Sequence, residues 1–103
     1  MSTTKWTQGP WFTKREGWAT VYVEARIGGG LLQEVAACGP TQQGPEQQEA
    51  NATLIAEAPA LYKELEALTG VVQSDPFLRY SEDSLYGKAI KAALAVLKKA
   101  RGE

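Results

Sequence analysis

Trp11, Trp18 and Tyr22 lie close along the chain to Arg15 and Arg26. Aromatic rings stack on bases and guanidinium groups clamp phosphates, so this set of side chains suits a nucleotide or a charged protein surface. The same residue types also seal the far side of a thin sheet or the middle of a dimer interface. Both readings stay open at this level. Glu24 and Glu34 could face each other across a hairpin, a geometry that would serve acid and base chemistry if burial pushed their pKa values apart. A plain cross-strand or surface pairing of Glu24 and Arg26 accounts for the same residues without chemistry. Arg79 and Tyr80 fall in a connection between periodic segments, where binding residues concentrate.

Other chemistry has little to stand on. The chain has no histidine and a single cysteine, Cys38. A serine or cysteine nucleophile would therefore need lysine or a carboxylate as its base, and no motif pairs Cys38 with one. Cys38 reads as a small packed residue. Gly28-Gly29-Gly30 lacks the spacing, the lysine and the following helix of a phosphate loop, and reads as a hairpin turn. No metal site, cofactor or catalytic residue is expected, and the chain reads as a non-enzyme.

With 103 residues the chain has the size of one domain that buries about two-thirds of its unfolded surface. Its apolar fraction of 44% and charged fraction of 22% are those of a globular protein. The net charge of -1 gives no global pull toward nucleic acid or an anionic membrane. Charge is nonetheless unevenly placed. Residues 46–69 carry Glu46, Glu49, Glu57, Glu64 and Glu66 against Lys63, whereas residues 85–101 carry Lys88, Lys91, Lys98, Lys99 and Arg101 with no acid. That basic end could meet the acidic helix of a neighbouring subunit or a nucleic acid; a solvated, dipole-matched helix end is the simpler account. The polar start Met1-Ser2-Thr3-Thr4-Lys5 has no apolar signal core, and no apolar run approaches the roughly 20 residues of a membrane span. A cytoplasmic protein is expected, in a reducing compartment that suits a lone cysteine.

The elements that must position these residues follow from periodicity. Residues 1–9 read as a loose arm ending at Gly9-Pro10, ahead of a short strand at Trp11-Phe12-Thr13 and a turn through Lys14-Arg15-Glu16-Gly17. From Trp18 to Ile27, Ala19, Val21, Val23, Ala25 and Ile27 alternate with Trp18, Thr20, Tyr22, Glu24 and Arg26. A period of two means a strand with one aliphatic face and one amphipathic face. Leu31 to Cys38 supplies a third strand, with Leu31, Val35 and Ala37 expected on one side. The expected class is α+β, with an antiparallel meander over residues 10–39.

Pro45 suits the first turn of a helix, with Glu46 and Glu49 at the positive end of its dipole. Ala50, Leu54, Ala58, Leu61, Leu65 and Leu68 step by four and three, which predicts one apolar stripe on a helix over 45–69. Pro59 interrupts the backbone ladder and predicts a kink or two helices meeting. Because the stripe stays in phase across Pro59, both pieces are expected to face the sheet. Gly70 reads as the stop, Val71 to Gln73 as a brief strand or turn, and Ser74-Asp75-Pro76 as a cap. A last helix is expected over 81–100, with Leu85, Ala89, Ala93 and Val96 beside a second row of Tyr86, Ile90 and Leu97.

Two segments carry a family resemblance. Glu49-Ala50-Asn51-Ala52-Thr53-Leu54-Ile55-Ala56-Glu57-Ala58-Pro59, continuing to Leu65, resembles a recurring segment of small phage and prophage proteins that reads Asn-Ala-x-Leu-Ile-Ala-x-Ala-Pro before a leucine-rich helix. The opening Trp6-Thr7-Gln8-Gly9-Pro10-Trp11 is similar to their start. The two matches bracket about the first two-thirds of the chain. The resemblance implies a phage origin and a compact sheet-plus-helix domain, and it carries no activity over to particular residues. Asn51 is the one polar member of the shared segment that propensity does not explain. It could bond a strand end or loop, or point into a ligand site. Tyr62 and Lys63 depart from the leucine or alanine that such proteins often carry, so this helix face differs.

The functional expectation is a binding protein that acts by stoichiometry on a host component. Its partner would be a host defence protein, plugged at its surface, or a small nucleotide signal held on the Trp18, Tyr22, Arg26 face. Arg15, Trp18, Tyr22, Arg26, Asn51, Arg79 and Tyr80 are the candidate ligand or partner residues. A small enzyme using carboxylate and lysine chemistry is the competing class, and a structural or nucleic-acid-binding accessory protein is a third. The amphipathic face and an open edge strand want cover, which predicts a homodimer.

Overall fold

The computed structural model describes residues 5–17, 19–75, 77, 81 and 83–103. Three antiparallel strands come first, β1 (Trp11–Glu16), β2 (Thr20–Ile27) and β3 (Leu31–Cys38), hydrogen-bonded in the order β1-β2-β3. Three helices follow, α1 (Pro45–Ala56), α2 (Ala58–Ser74) and α3 (Leu85–Ala100). The fold is α+β, with the meander and the proline-interrupted helix that periodicity predicts. The described residues gather into two compact units, one spanning Trp6–Leu61 and the other containing Tyr62–Glu103.

In the first unit, α1 lies on the face of the sheet made by Val21, Val23 and Ala25, all of which are fully buried together with Ala52. Burying each valine contributes about 1.5–3 kcal/mol. Trp11, Val35, Ala36, Cys38, Ile55 and Ala56 pack around this centre. The turns follow their glycines. Gly17 sits at φ 61° between β1 and β2, and Gly29 and Gly30 both sit at φ 76° in the tight turn before β3, a region that costs a residue with a Cβ. β1 runs further than its aromatic start suggests, through Lys14, Arg15 and Glu16, because those residues pair with Tyr22, Val21 and Thr20.

In this unit two expectations about which side chains face the core change. Alternation puts Ala37 on the side of Leu31 and Val35, but the ladder slips between Val23 and Glu24: Val23 pairs with Ala36 and Glu24 with Glu34. Val35 is the extra residue of a β-bulge, so Ala36 and Cys38 turn to the core while Ala37 stands exposed opposite Tyr22.

Within this unit, the leucine stripe also does not meet the sheet. Leu54 and Leu61 are 65% and 56% exposed, and Leu68 beyond them is 61% exposed. The sheet instead receives Gln48, Ala52, Ile55 and Ala56. These residues repeat at helical spacing as well, but the row contains a glutamine, so hydrophobicity does not mark it. Gln48 is 1% exposed. Its Nε2 donates to the Ala19 carbonyl at 2.9 Å and the Cys38 carbonyl at 2.8 Å. A buried amide whose hydrogen bonds are met carries little penalty. Ala52 beside it is small enough to let the helix approach.

The segment before β1 is tied to the same unit. Thr7 Oγ1 donates to Gln33 Oε1 at 3.1 Å, and the Trp11 indole N–H donates to the Thr7 carbonyl at 3.0 Å. The Gly9-Pro10 peptide bond is cis. Gly9 lies against the start of α2, where a Cβ on it would stand 3.0 Å from Pro59 Cβ. The two segments that carry the phage-protein resemblance therefore touch, and glycine is what lets them.

In the second unit, α2 continues through Gly70 to Ser74, so neither the expected stop nor the brief strand at 71–73 forms. Helix geometry accepts an exposed glycine at a cost of about 1 kcal/mol. Asp75 caps a turn by accepting from the Phe77 N–H at 2.8 Å; the rest of that predicted cap, Pro76, lies outside the described residues. α3 begins later than position 81 because Ser84 is its N-cap, with Oγ accepting from the Gly87 N–H at 3.1 Å. At the far end Arg101 donates to the Tyr62 hydroxyl at 3.1 Å and to Glu103 at 3.1 Å. Those two bonds, Tyr62 first, hold the guanidinium above its ordinary pKa. The residue after α3 is thus bonded to Tyr62 of α2.

Candidate functional site

The sheet face turned away from α1 collects the polar and aromatic residues of the meander. Along β2 it presents Tyr22, Glu24 and Arg26, spaced by about 7 Å because alternate strand residues share a face. β1 adds Phe12 opposite Glu24 and Lys14 opposite Tyr22. β3 adds Leu32 opposite Arg26 and Glu34 opposite Glu24. Tyr22, Glu24 and Phe12 are half-buried, whereas Arg26, Leu32 and Glu34 are exposed. The Arg26 guanidinium lies over the Phe12 ring, 5.7 Å from its centroid, a cation–π contact that orients the cation at one edge of the face.

Glu24 is the centre of this surface. Its Oε1 is buried and has no hydrogen-bond partner among the described residues. Directly across the ladder stands a second carboxylate, Glu34, and like charges opposite each other on a sheet are unfavourable. An unmet buried acceptor with a like-charged neighbour costs stability, and positions that do so concentrate where a molecule binds. The face offers an acceptor at its middle, Phe12 beside it on β1, Tyr22 next along β2, and a cation toward each end, Arg26 and Lys14. A partner carrying N–H donors and an anionic group matches it.

Of the residues predicted from sequence, the structure brings Tyr22 and Arg26 together on this face. Arg15 lies on the opposite face. Its Nε donates to Glu49 Oε1 at 2.6 Å and its Nη2 to Gln48 Oε1 at 3.2 Å, fastening β1 to α1. Asn51 is exposed on α1, and its side chain makes no hydrogen bond among the described residues. Trp18, Arg79 and Tyr80 lie outside the described residues. Phe12 was not predicted as a site residue. The signal was present, because extending the first strand to Glu16 in antiparallel register with Thr20 places Phe12 opposite Glu24. Ending that strand at Thr13 hid it. No group of histidine, cysteine or carboxylate side chains with metal-binding geometry occurs among the described residues. No helix among them is long and apolar enough to cross a membrane.

A family model described as Salmonella phage P22 protein Y8K6 matches residues 1–103. Neither the curated proteins nor the solved structures contain a significant match to the chain.

Proposed function

The chain belongs to the family described as Salmonella phage P22 protein Y8K6, and from that premise we propose that it is a non-enzymatic binding protein that occupies a host component stoichiometrically through the Phe12, Tyr22, Glu24, Arg26 face. The observation that carries this reading is the buried, unpaired Glu24 oxygen beside Glu34. A bound donor group would supply its missing hydrogen bond, which is worth about 1–3 kcal/mol at a charged acceptor. On this reading the occupied component is a host defence protein or another host factor.

A second reading is favoured by one feature of the same face. An acceptor flanked by aromatic rings, with a guanidinium next to it, is a combination that reads a base edge, stacks the base and neutralises a phosphate. Sequestration of a small nucleotide signal is the version of the proposal that uses all of these groups.

The experiment is a titration of the purified protein against a panel of cyclic and linear nucleotides by calorimetry, and against host lysate with mass-spectrometric identification of what is retained. Binding at one equivalent per site, lost in the Tyr22→Ala/Arg26→Ala double variant with unfolding unchanged, supports the reading. Turnover of a substrate by trace protein would replace it with an enzyme. Retention of nucleic acid that falls steeply with salt would replace it with a phosphate-backbone binder.

A further inference from the structure

We infer that the Glu24 face takes a guanine nucleotide, with the base stacked on Tyr22, its two adjacent N–H groups on the Glu24 and Glu34 carboxylates, and its phosphate on Lys14. The inference rests on the nucleotide reading of this face and adds which base is read and by which groups.

The hydrogen-bonding character of the face chooses the base. An ionised carboxylate accepts hydrogen bonds and donates none. Glu24 and Glu34 stand directly opposite each other, which sets their Cβ atoms about 4.5–5.5 Å apart. Neither carboxylate has a hydrogen bond or ion pair among the described residues. The middle of the face is therefore a patch of acceptors. Of the common bases, guanine alone turns two neighbouring donors, its ring N–H and its amino group, to one edge, at a spacing that matches the two oxygens of a carboxylate. The second amino hydrogen is left for Glu34. Adenine and cytosine set a ring-nitrogen lone pair beside their amino group, and uracil sets a carbonyl on each side of its N–H. Each of those edges brings a lone pair against a carboxylate, which rejects the base.

Stacking places that base. The Phe12 ring is already covered by the Arg26 guanidinium, 5.7 Å from its centroid. Tyr22 is half-buried, and its ring holds no cation and its hydroxyl no hydrogen bond among the described residues. It lies two residues from Glu24 on the same side of β2, about 7 Å away, so a flat ring laid on Tyr22 carries its edge to Glu24. A base whose donor edge points at Glu24 directs its sugar the other way, toward the end of the face where Lys14 stands opposite Tyr22. Lys14 meets Glu16 at 3.6 Å, and both side chains are exposed. Such a pair is worth little and yields readily to a phosphate.

The same pattern disfavours an arginine from a partner protein, the other natural occupant of two facing carboxylates. Lys14 and Arg26 stand toward the two ends of the face, so a cation arriving between them is opposed from either side. A ligand with neutral donors at one edge and an anion at its far end satisfies the carboxylates and the lysine together.

The test is a chemical-shift titration of the full chain, up to millimolar ligand, with the monophosphates of guanosine, inosine, adenosine, cytidine and uridine, and with N-acetylarginine amide as the protein-side probe. Guanosine monophosphate is expected to bind tightest and to move the resonances of Tyr22 and Glu24. Inosine monophosphate keeps the ring N–H but lacks the amino group, and is expected to bind at least about tenfold more weakly, the scale of a hydrogen bond to a charged group. Glu24→Gln puts a donor where an acceptor stood and is expected to abolish the preference for guanine. Lys14→Gln is expected to weaken guanosine monophosphate while leaving guanosine itself unchanged. Urea unfolding checks that both variants stay folded. Adenosine monophosphate bound as tightly as the guanine ligand, a guanine preference that survives Glu24→Gln, a Lys14→Gln effect equal on guanosine and its monophosphate, or the arginine probe binding tightest would overturn this inference and leave stoichiometric binding by the face standing. Absence of any shift on this face with every nucleotide would overturn the nucleotide reading along with it.

Discussion

Gln48→Met is the substitution that asks most of the fold as described. Methionine matches glutamine closely in volume and flexibility, so the packing between α1 and the sheet is kept while the amide is removed. Two carbonyl oxygens, of Ala19 before β2 and Cys38 at the end of β3, then lose the Nε2 donor they share at 2.9 and 2.8 Å. Arg15 loses the acceptor it reaches at 3.2 Å. Each of the two partly buried acceptors left unpaired costs about 1–3 kcal/mol, so the loss is about 2–6 kcal/mol. That is a large share of the roughly 5–15 kcal/mol that holds a domain together. With a urea slope of about 1–3 kcal/mol/M, the unfolding midpoint falls by about 1–3 M at unchanged slope. Two companions separate the donor from the arginine contact. Gln48→Glu keeps an acceptor for Arg15 but points an oxygen at the two carbonyls, and is at least as damaging. Arg15→Met, which breaks a half-exposed pair with Glu49, costs no more than about 1 kcal/mol. A Gln48→Met midpoint within error of wild type would refute the claim that this amide joins helix to sheet.

Gly9→Ala forces a Cβ to within 3.0 Å of Pro59 and lowers the thermal midpoint, with a cost of about 1–3 kcal/mol for the overpacked corner. Ser84→Ala removes the side chain that accepts from the Gly87 N–H, costs about 1 kcal/mol, and reduces helical ellipticity before the sheet melts. Glu24→Gln removes a like charge facing Glu34 and raises stability by up to about 1 kcal/mol in urea unfolding. On the proposed function the same change weakens partner capture, so a variant that is both more stable and fully competent to bind would count against Glu24 as the contact point.

Alternation and helical spacing made most of the architecture legible. The strict period of two from Ala19 to Ile27 marks β2 and its aliphatic face, because a half-buried strand has no other way to divide apolar from polar side chains. Glycines at positions 17 and 28–30 mark the two turns, since the chain must enter positive φ there. Pro45 marks the start of α1 and Pro59 the break before α2. Tyr22 and Arg26 share a face for the same reason that Val21 and Val23 share the other, so half of the candidate site was readable from one strand.

What remained was decided by groups that meet only in the folded chain. The alternation of residues 31–38 does not reveal that Val35 is a bulge, because that depends on which β2 residue each one pairs with. Phe12 joins Glu24, and Arg15 leaves Tyr22 for Glu49, through pairing register across the first hairpin. The apolar stripe that runs from Ala50 and Leu54 of α1 across Pro59 into the leucines of α2 competes with the α1 row containing Gln48, and hydrophobicity alone favours the stripe. Tertiary structure turns the glutamine inward because two carbonyls at the sheet end need a donor, and it leaves Leu54 and Leu68 open. Apolar periodicity is a property of one segment and can be read locally. Hydrogen-bond satisfaction belongs to pairs of atoms far apart in the chain, and only their meeting decides which face goes inside.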